Sequence, residues 1–386
     1  MAELFIELFS EEIPAALQVN ARRKIKQILE EKLRKKEISF KSSQSFSTPK
    51  RLVFFIDGIP KKIEQKGKII KGPKIDAPEA ALDGFIRSNN LNKADVYKKK
   101  IEKGEFYFAE TKSKTTDILE ELQSIIPETF QTYSWKKSMK WSTYDLSWGR
   151  PLKSIIALFN DEVINFNFFH LQSGNLTSID EANDEIVKKI NNFKTYLNIL
   201  KSQNIILDHD KRKNIVIKKM NSICNAKQLR NHFNEKLIEE VVNLVEKPNV
   251  ILCKFDEIYL KIPQEILIVT MQQHQKYFPL FDDSNKLTNL FLLVSNLPDK
   301  KGYIKIGNQR VIESRLSDAK FFWEKNKNQS LVKQVGKLKN LYFFNQLGTF
   351  YNRTQRLRKL AVMIADQLNI SKEKVEIASS ICKADL

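Results

Sequence analysis

The chain has 386 residues, 42% hydrophobic and 29% charged, which is long enough for two or three domains with real cores. Its 25 Phe, 10 Tyr and 4 Trp exclude a disordered chain, whose low hydrophobicity could not offset the entropy of ordering. Against 46 Asp plus Glu stand 65 Lys plus Arg, a formal net charge of +19, and that field attracts polyanions, nucleic acid first.

The N-terminal residues lack the basic start and long apolar stretch of a secretory signal, and no apolar run reaches the roughly 18 residues of a membrane span. A cytoplasmic location is therefore expected. Residues 4–9 read as a strand. Ser10 then reads as a helix N-cap, with Glu11 and Glu12 in the first turn and an early Pro14. Leu17, Ala21, Ile25, Ile28, Leu29 and Leu33 follow at helical spacing, with Arg22, Arg23, Lys24, Lys26 and Arg34 between them, a basic amphipathic helix. Lys50 and Arg51 lead into a buried-strand candidate over 52–56, and Asp57-Gly58 reads as the turn that closes it.

Residues 61–74 are basic and loop-like, 80–86 return to helix, and Lys98, Lys99 and Lys100 precede a strand candidate over 106–108. Residues 135–151 interleave three tryptophans with Lys136, Lys137, Lys140 and Arg150, which suits stacking and cation–π contact with nucleic acid, although burial of Trp141 and Trp148 is the commoner outcome. Strand candidates at 155–159 and 163–169 flank a turn at Asn160-Asp161, and a first α+β domain ends near 172. Leu237, Ile238, Val241, Val242 and Val245 make an apolar helix face, while 250–252, 258–260 and 290–294 read as strands. A second α+β domain fits 173–330. Residues 331–368 read as largely helical, and the chain stops at 382–386 as if inside a helix. The expected class is α+β, multidomain, with mixed or antiparallel sheets packed by helices and a helical segment over 331–386.

Two polar clusters stand out. Gln272, Gln273, His274, Gln275, Lys276 and Tyr277 offer amides, an imidazole, an ammonium and a phenol within one short stretch. Such groups suit RNA, Lys meeting phosphate, Gln base or ribose edges, and Tyr or His stacking on exposed bases. A solvated helix end around a packed Tyr277 is the commoner reading. In residues 307–322, helical periodicity places Arg315 and Asp318 at i, i+3, so an internal ion pair and a phosphate contact both remain open for Arg315.

Catalytic constellations are scarce. There is no Gly-Lys-Ser/Thr phosphate loop and no Gly-x-Ser-x-Gly elbow, and His170, His209, His232 and His274 lack metal-ligand spacing. Asp208-His209-Asp210 reads as a surface turn rather than a metal site. Cys224, Cys253 and Cys382 fit neither a disulfide framework nor a zinc motif. No catalytic or metal residue is assigned.

Taken together, these blocks resemble the beta subunit of bacterial heterotetrameric glycyl-tRNA synthetase. The resemblance runs in family order through Phe5-Ile6-Glu7-Leu8, Ser10-Glu11-Glu12-Ile13-Pro14, Thr48-Pro49-Lys50-Arg51-Leu52, Lys71-Gly72-Pro73, Met139-Lys140-Trp141, Arg150-Pro151, residues 271–279, residues 307–322, Gln346-Leu347-Gly348-Thr349 and Cys382-Lys383-Ala384-Asp385-Leu386. It implies a subunit that holds tRNA(Gly) for ATP-dependent esterification with glycine, in a complex of two alpha and two beta chains. ATP and Mg²⁺ would belong to the alpha subunit's site, and this chain would lower the barrier by positioning. The implied tRNA contacts are Lys50, Arg51, Lys71, His274, Gln275, Lys276, Asn308 and Arg315. The alternative is a free-standing RNA-binding or scaffolding module without aminoacylation activity.

Two departures from the family pattern carry expectations. The family continues past Leu386 into an HD-type helical domain and an anticodon-binding domain, so anticodon reading is not expected here. After Gly174-Asn175-Leu176-Thr177 the family usually has Gly-His-Arg-Phe, whereas this chain has an acidic stretch over 178–185, which would repel phosphate.

Overall fold

The computed structural model describes residues 2–65, 69–89, 91–101, 104–110, 114–181 and 184–386. The chain gathers into two compact units. The first holds Met1–Ser222, Phe233–Val250 and Val294–Pro298, and the second holds Ile223–His232, Ile251–Leu293 and Asp299–Leu386.

In the first unit, β1 (Ala2–Ser10) leads to α1 (Ala15–Lys35), β2 (Ser42–Thr48) and β3 (Arg51–Ile59). A lysine-rich region follows, with β4 (Lys62–Gln65), β5 (Ile69–Lys74), α2 (Glu79–Ser88), β6 (Val96–Ile101), β7 (Gly104–Glu110) and β8 (Lys114–Asp117). Next come α3 (Ile118–Thr132), β9 (Leu152–Phe159), β10 (Glu162–Val163), β11 (Asn167–Phe168) and β12 (Leu171–Gly174). The hairpin of β13 (Leu176–Glu181) and β14 (Asp184–Lys189) precedes α4 (Phe193–Ser202), α5 (His209–Lys227) and α6 (Glu235–Val242).

The main sheet runs β11-β12-β9-β1-β3-β2, with β10 paired to β9. β1 is antiparallel to both β3 and β9, whereas β12 runs parallel to β9. β1 has no solvated face because the sheet is covered on both sides, and successive side chains alternate between the two cores. Leu4, Ile6 and Leu8 join Ala21, Ile25, Leu29 and Leu33 of α1 and Ile118, Leu122 and Phe130 of α3. Phe5 enters the opposite core with Ile179, Ile190, Phe193, Tyr196 and Leu200. Each fully buried Leu or Ile contributes about 1.5–3 kcal/mol, so these faces, rather than local propensity, hold the layers together.

Two local outcomes differ from the sequence reading, and a third follows it. Ser10 does not cap a helix, because its N–H bonds to the Lys50 carbonyl and it remains the last residue of β1; α1 starts at Ala15 behind Pro14. Asp57-Gly58 is a bulge inside β3 rather than a turn: Ala2 pairs with Ile59 and Glu3 with Asp57, leaving Gly58 extra at φ +82°. The turn at Asn160 and Asp161 forms as expected, both at positive φ, a geometry that matches strand twist.

In the second unit, β15 (Asn249–Lys254), α7 (Gln264–Val269), β16 (Phe278–Phe281), β17 (Leu287–Ser295) and α8 (Tyr303–Lys327) enclose a core containing Phe255, Leu267, Met271, Tyr277, Phe291, Ile312 and Leu316. The sheet order is β15-β17-β16. Residues 258–260 are not a strand: Asp256 Oδ1 accepts from the Ile258 N–H at 2.9 Å and opens a 3₁₀ turn over Glu257–Lys261. After α9 (Leu331–Gln334), a short hairpin of β18 (Tyr342–Phe344) and β19 (Gly348–Thr349) interrupts the helical stretch expected there. α10 (Phe350–Gln367) and α11 (Lys372–Ile381) follow, and residues 382–385 form a turn. The architecture is α+β, multidomain, with mixed and antiparallel sheets, closing in helices. No helix among the described residues is long and apolar enough to cross a membrane.

Candidate nucleic-acid interface

The two polar clusters of the second unit meet in space. α7 runs into one π turn over Thr270–His274, whose wider winding is common at functional positions. Lys276 ends it at φ +59°, and the Tyr277 N–H bonds back to the Met271 carbonyl at 2.9 Å. This reversal buries Met271 and Tyr277 while His274 stays exposed and Gln275 and Lys276 half-buried. Tyr277 stacks on Phe291 with ring centroids 4.8 Å apart, and its hydroxyl donates to Asn308 Oδ1 at 2.6 Å. Asn308 Nδ2 in turn donates to the Ile304 carbonyl at 2.8 Å, so both ends of its amide are engaged within the unit. Burial pushes the Tyr277 phenol up to about 12, which keeps it a neutral donor.

α8 carries the other half. Of its 25 residues only Ile312 and Leu316 are buried, although at 1.5 Å per residue it is about 37 Å long. Arg315 is 58% exposed and lies 3.8 Å from Asp318, the i, i+3 pair expected from periodicity. Such an exposed pair is worth at most about 1 kcal/mol and leaves the guanidinium available. Phe321 and Phe322 are also exposed on this helix, with Lys325 set 5.8 Å from the Phe321 ring centre.

The three candidates of the first unit separate. Lys50 sits half-buried at the β2–β3 corner and engages other groups. Lys71 is exposed on β5, 3.4 Å from the centre of the Phe106 ring of β7. The same small sheet, ordered β5-β7-β6, sets Lys98 near Tyr107 and Lys99 near Phe108, which makes it a lysine and aromatic surface.

Arg51 is enclosed, at 1% exposure. Its Nε lies 3.1 Å from Glu7 Oε1, Nη1 donates to Glu246, and Nη2 donates to the Ser178 carbonyl. Thr48 also donates to Glu246, and the Tyr196 hydroxyl donates to Glu7 at 2.6 Å. Burial pulls the Arg51 guanidinium down, but Glu246, Tyr196 and Glu7 outweigh it and hold it above its ordinary value. Burial dominates at Glu7, whose carboxyl is raised despite Arg51 beside it. This is a structural ion cluster closed to an outside phosphate. Trp148, at 1% exposure, is likewise core, 5.1 Å from Trp135, and Trp141 packs half-buried against the same core.

Of the acidic stretch over 178–185, residues 182 and 183 lie outside the described residues. Ser178 and Ile179 are buried in β13, and the Ser178 carbonyl is the acceptor for Arg51.

Sequence reasoning missed a second basic centre, in which Arg22 of α1 meets His209 at the start of α5. The Arg22 guanidinium lies across the imidazole, with Nη1 against Nδ1 and Nη2 2.8 Å from Nε2. Asp208, His209 and Asp210 come within 4.8 Å of one another, but Asp208 Oδ1 accepts from the Asp210 N–H and Arg22 covers both ring nitrogens, so a cation would meet occupied ligands and a positive neighbour. Burial and Arg22 hold the His209 imidazole below its usual value. Close by, the buried Arg212 donates to the carbonyls of Ser47, Ile206, Leu207 and Val242, and burial pulls it down to about 10. Only the cationic spacing of α1 signalled this centre in the sequence.

The family profile described as "Glycyl-tRNA synthetase beta subunit" matches residues 4–386. A protein of Rickettsia felis described as "Glycine--tRNA ligase beta subunit" is 36% identical over 389 residues, covering 100% of this chain and 58% of its own length. Proteins of the same description from Rickettsia peacockii and Rickettsia prowazekii are 36% and 35% identical, again over the whole of this chain. The chain thus spans 58% of the length of the first two relatives and 57% of the third. A match that runs from residue 4 to residue 386 places the chain in the glycyl-tRNA synthetase beta subunit family.

Proposed function

We propose that this chain is the tRNA-holding part of a glycine-tRNA ligase, binding tRNA(Gly) and presenting it to an alpha partner that joins glycine to the tRNA. The observation that carries the reading is the joined surface of the second unit. A π turn leading into His274, Gln275 and Lys276 is clasped to α8 through Tyr277 and Asn308, and α8 also carries the exposed Arg315. The family match and the net charge of +19 support it.

In this proposal the cations meet phosphate and give affinity, while Gln275 and His274 reach ribose or base. The chain contributes no reacting group. Its contribution is orientation, which can supply several kcal/mol of a barrier when a bound substrate is held close to its reacting geometry. ATP is consumed at the alpha subunit's site, where Mg²⁺ would serve, and the assembly contains two alpha and two beta chains in the cytoplasm.

The site is tested with Lys276→Glu and Arg315→Ala, each assayed for tRNA(Gly) affinity and for stability in urea. A loss of about 10-fold or more in affinity, with the urea midpoint held, is expected for both. Affinity per folded molecule equal to wild type would remove these residues from the interface.

A further inference from the structure

The groove around Arg22 holds chemistry that the tRNA surface of the second unit does not use. It is a cavity of about 950 Å³ in the first unit, bounded by α1, β2, α4 and the start of α5. Sites for small organic ligands commonly enclose about 300–1,000 Å³.

One wall is cationic. Arg22, Arg23 and Lys26 approach from α1, Lys201 from α4 and Lys211 from α5. Lys26 is paired with Glu30 at 3.1 Å, but Arg23, Lys201 and Lys211 have no ion-pair partner among the described residues. Arg22 is only 3% exposed; its direct contact is the His209 imidazole, whose Nε2 also lies 3.0 Å from the carboxylate of Asp210. A nearly buried guanidinium lining an open cavity, where five cationic side chains outnumber the two carboxylates, marks a place for an anion. Asp208 and Asp210 are the carboxylates of the lining, and Asp208 is turned onto the backbone N–H groups of Asp210 and Lys211.

The rest of the lining includes apolar side chains, among them the buried Phe193. Phe46 and Leu197 are the others used here, and Leu197 is 40% exposed, a large apolar side chain left open to solvent. The cavity is also bordered by β2, the edge strand of the main sheet, so one side of Ser43, Gln44 and Ser45 has no strand partner to meet its backbone N–H and C=O groups. An anion site, aromatic side chains and a free backbone edge match the three parts of a nucleotide: phosphate, base face and base edge.

We propose that this groove binds a nucleoside monophosphate, its phosphate on Arg22, Lys201 and Lys211 and its base on Phe46, Phe193 and Leu197. The same chemistry can come from an unpaired nucleotide of an RNA strand or from a free nucleotide. The proposal stands on the groove's own residues and does not depend on α8 binding tRNA.

The test uses the full chain and follows the His209 ring resonances, identified by their loss in His209→Gln, while AMP, a four-nucleotide RNA, adenosine and inorganic phosphate are titrated separately. AMP or the RNA should shift His209 saturably and raise the pH at which it titrates, since a phosphate would offset the charge of Arg22. Adenosine and inorganic phosphate should each bind at least 10-fold more weakly. In the double variant Lys201→Glu/Lys211→Glu, both positions exposed and unpaired, the Kd for AMP or the RNA should rise at least 10-fold with an unchanged urea midpoint. RNA binding much tighter than AMP identifies a strand as the source, and equal binding a free nucleotide. No saturable shift with either probe up to millimolar concentration, or an unchanged Kd in the double variant, overturns the proposal. Inorganic phosphate binding as tightly as AMP overturns the part played by the base.

Discussion

Arg51 lies between Glu7 and Glu246 with almost no solvent, and the consequence is energetic rather than ligand-binding. Removing one partner of a buried ion cluster leaves the others charged and unpaired, so Arg51→Met should lower stability by about 3–5 kcal/mol in urea unfolding. The tRNA affinity of the folded fraction should stay within about threefold of wild type. His209 gives a pH signature. Its imidazole is held below the usual 6.5 by burial and Arg22, so below pH 6.5 the unfolded chain binds more protons than the folded one. Stability should therefore fall as pH drops from about 6.5 through the folded value, and His209→Gln should remove that part of the curve between pH 7.5 and 5. Neither role was visible in the sequence. Thr48-Pro49-Lys50-Arg51 reads as a basic surface corner, and only the arrival of Glu246 and Ser178, more than 120 residues away, encloses the arginine.

Tyr277 and Asn308 act at the scale of elements, since one hydroxyl joins the π turn to α8. Tyr277→Phe deletes that hydrogen bond and leaves Asn308 Oδ1 short of a donor, a cost of about 1 kcal/mol in unfolding. The interface reading adds a second expectation, that tRNA affinity falls more than stability does because the two halves of the surface lose their register. At the bulge, a Cβ on Gly58 would come within 2.5 Å of Lys41 Cβ at a backbone angle other residues resist, so Gly58→Ala should destabilise by about 1–3 kcal/mol in the same assay. Elements with strong periodicity were legible: β1, α1, β9 and α6 follow the apolar spacing, because each buries the face its pattern declares. Residues 258–260 and 331–349 were not, because a side-chain cap at Asp256 and a two-strand pairing at β18 and β19 outweigh local apolar content. Likewise Gly58 reads as a turn in isolation, and only the β1 register makes it a bulge.

For the molecule as a whole, the charge of +19 was plain in the sequence, but its distribution was not. Within the first unit cations gather on the β5-β7-β6 sheet with its aromatic partners and in the Arg22 groove, and within the second unit on the π turn and α8. Spacing along the chain could nominate Lys71, Lys276 and Arg315 as cations, but it could not show that the second unit joins the π turn to α8 through Tyr277 and Asn308. Phosphate contacts of this kind release counterions, so affinity should fall steeply with salt whatever the RNA. Identity needs more than charge. The most direct measurement is a titration of this chain against tRNA(Gly) and an unrelated tRNA at two salt concentrations, with and without the alpha subunit. The account predicts salt-sensitive binding with a preference for tRNA(Gly), present alone or appearing when alpha is added. Equal binding of both tRNAs under every condition, or none at low salt, would contradict it.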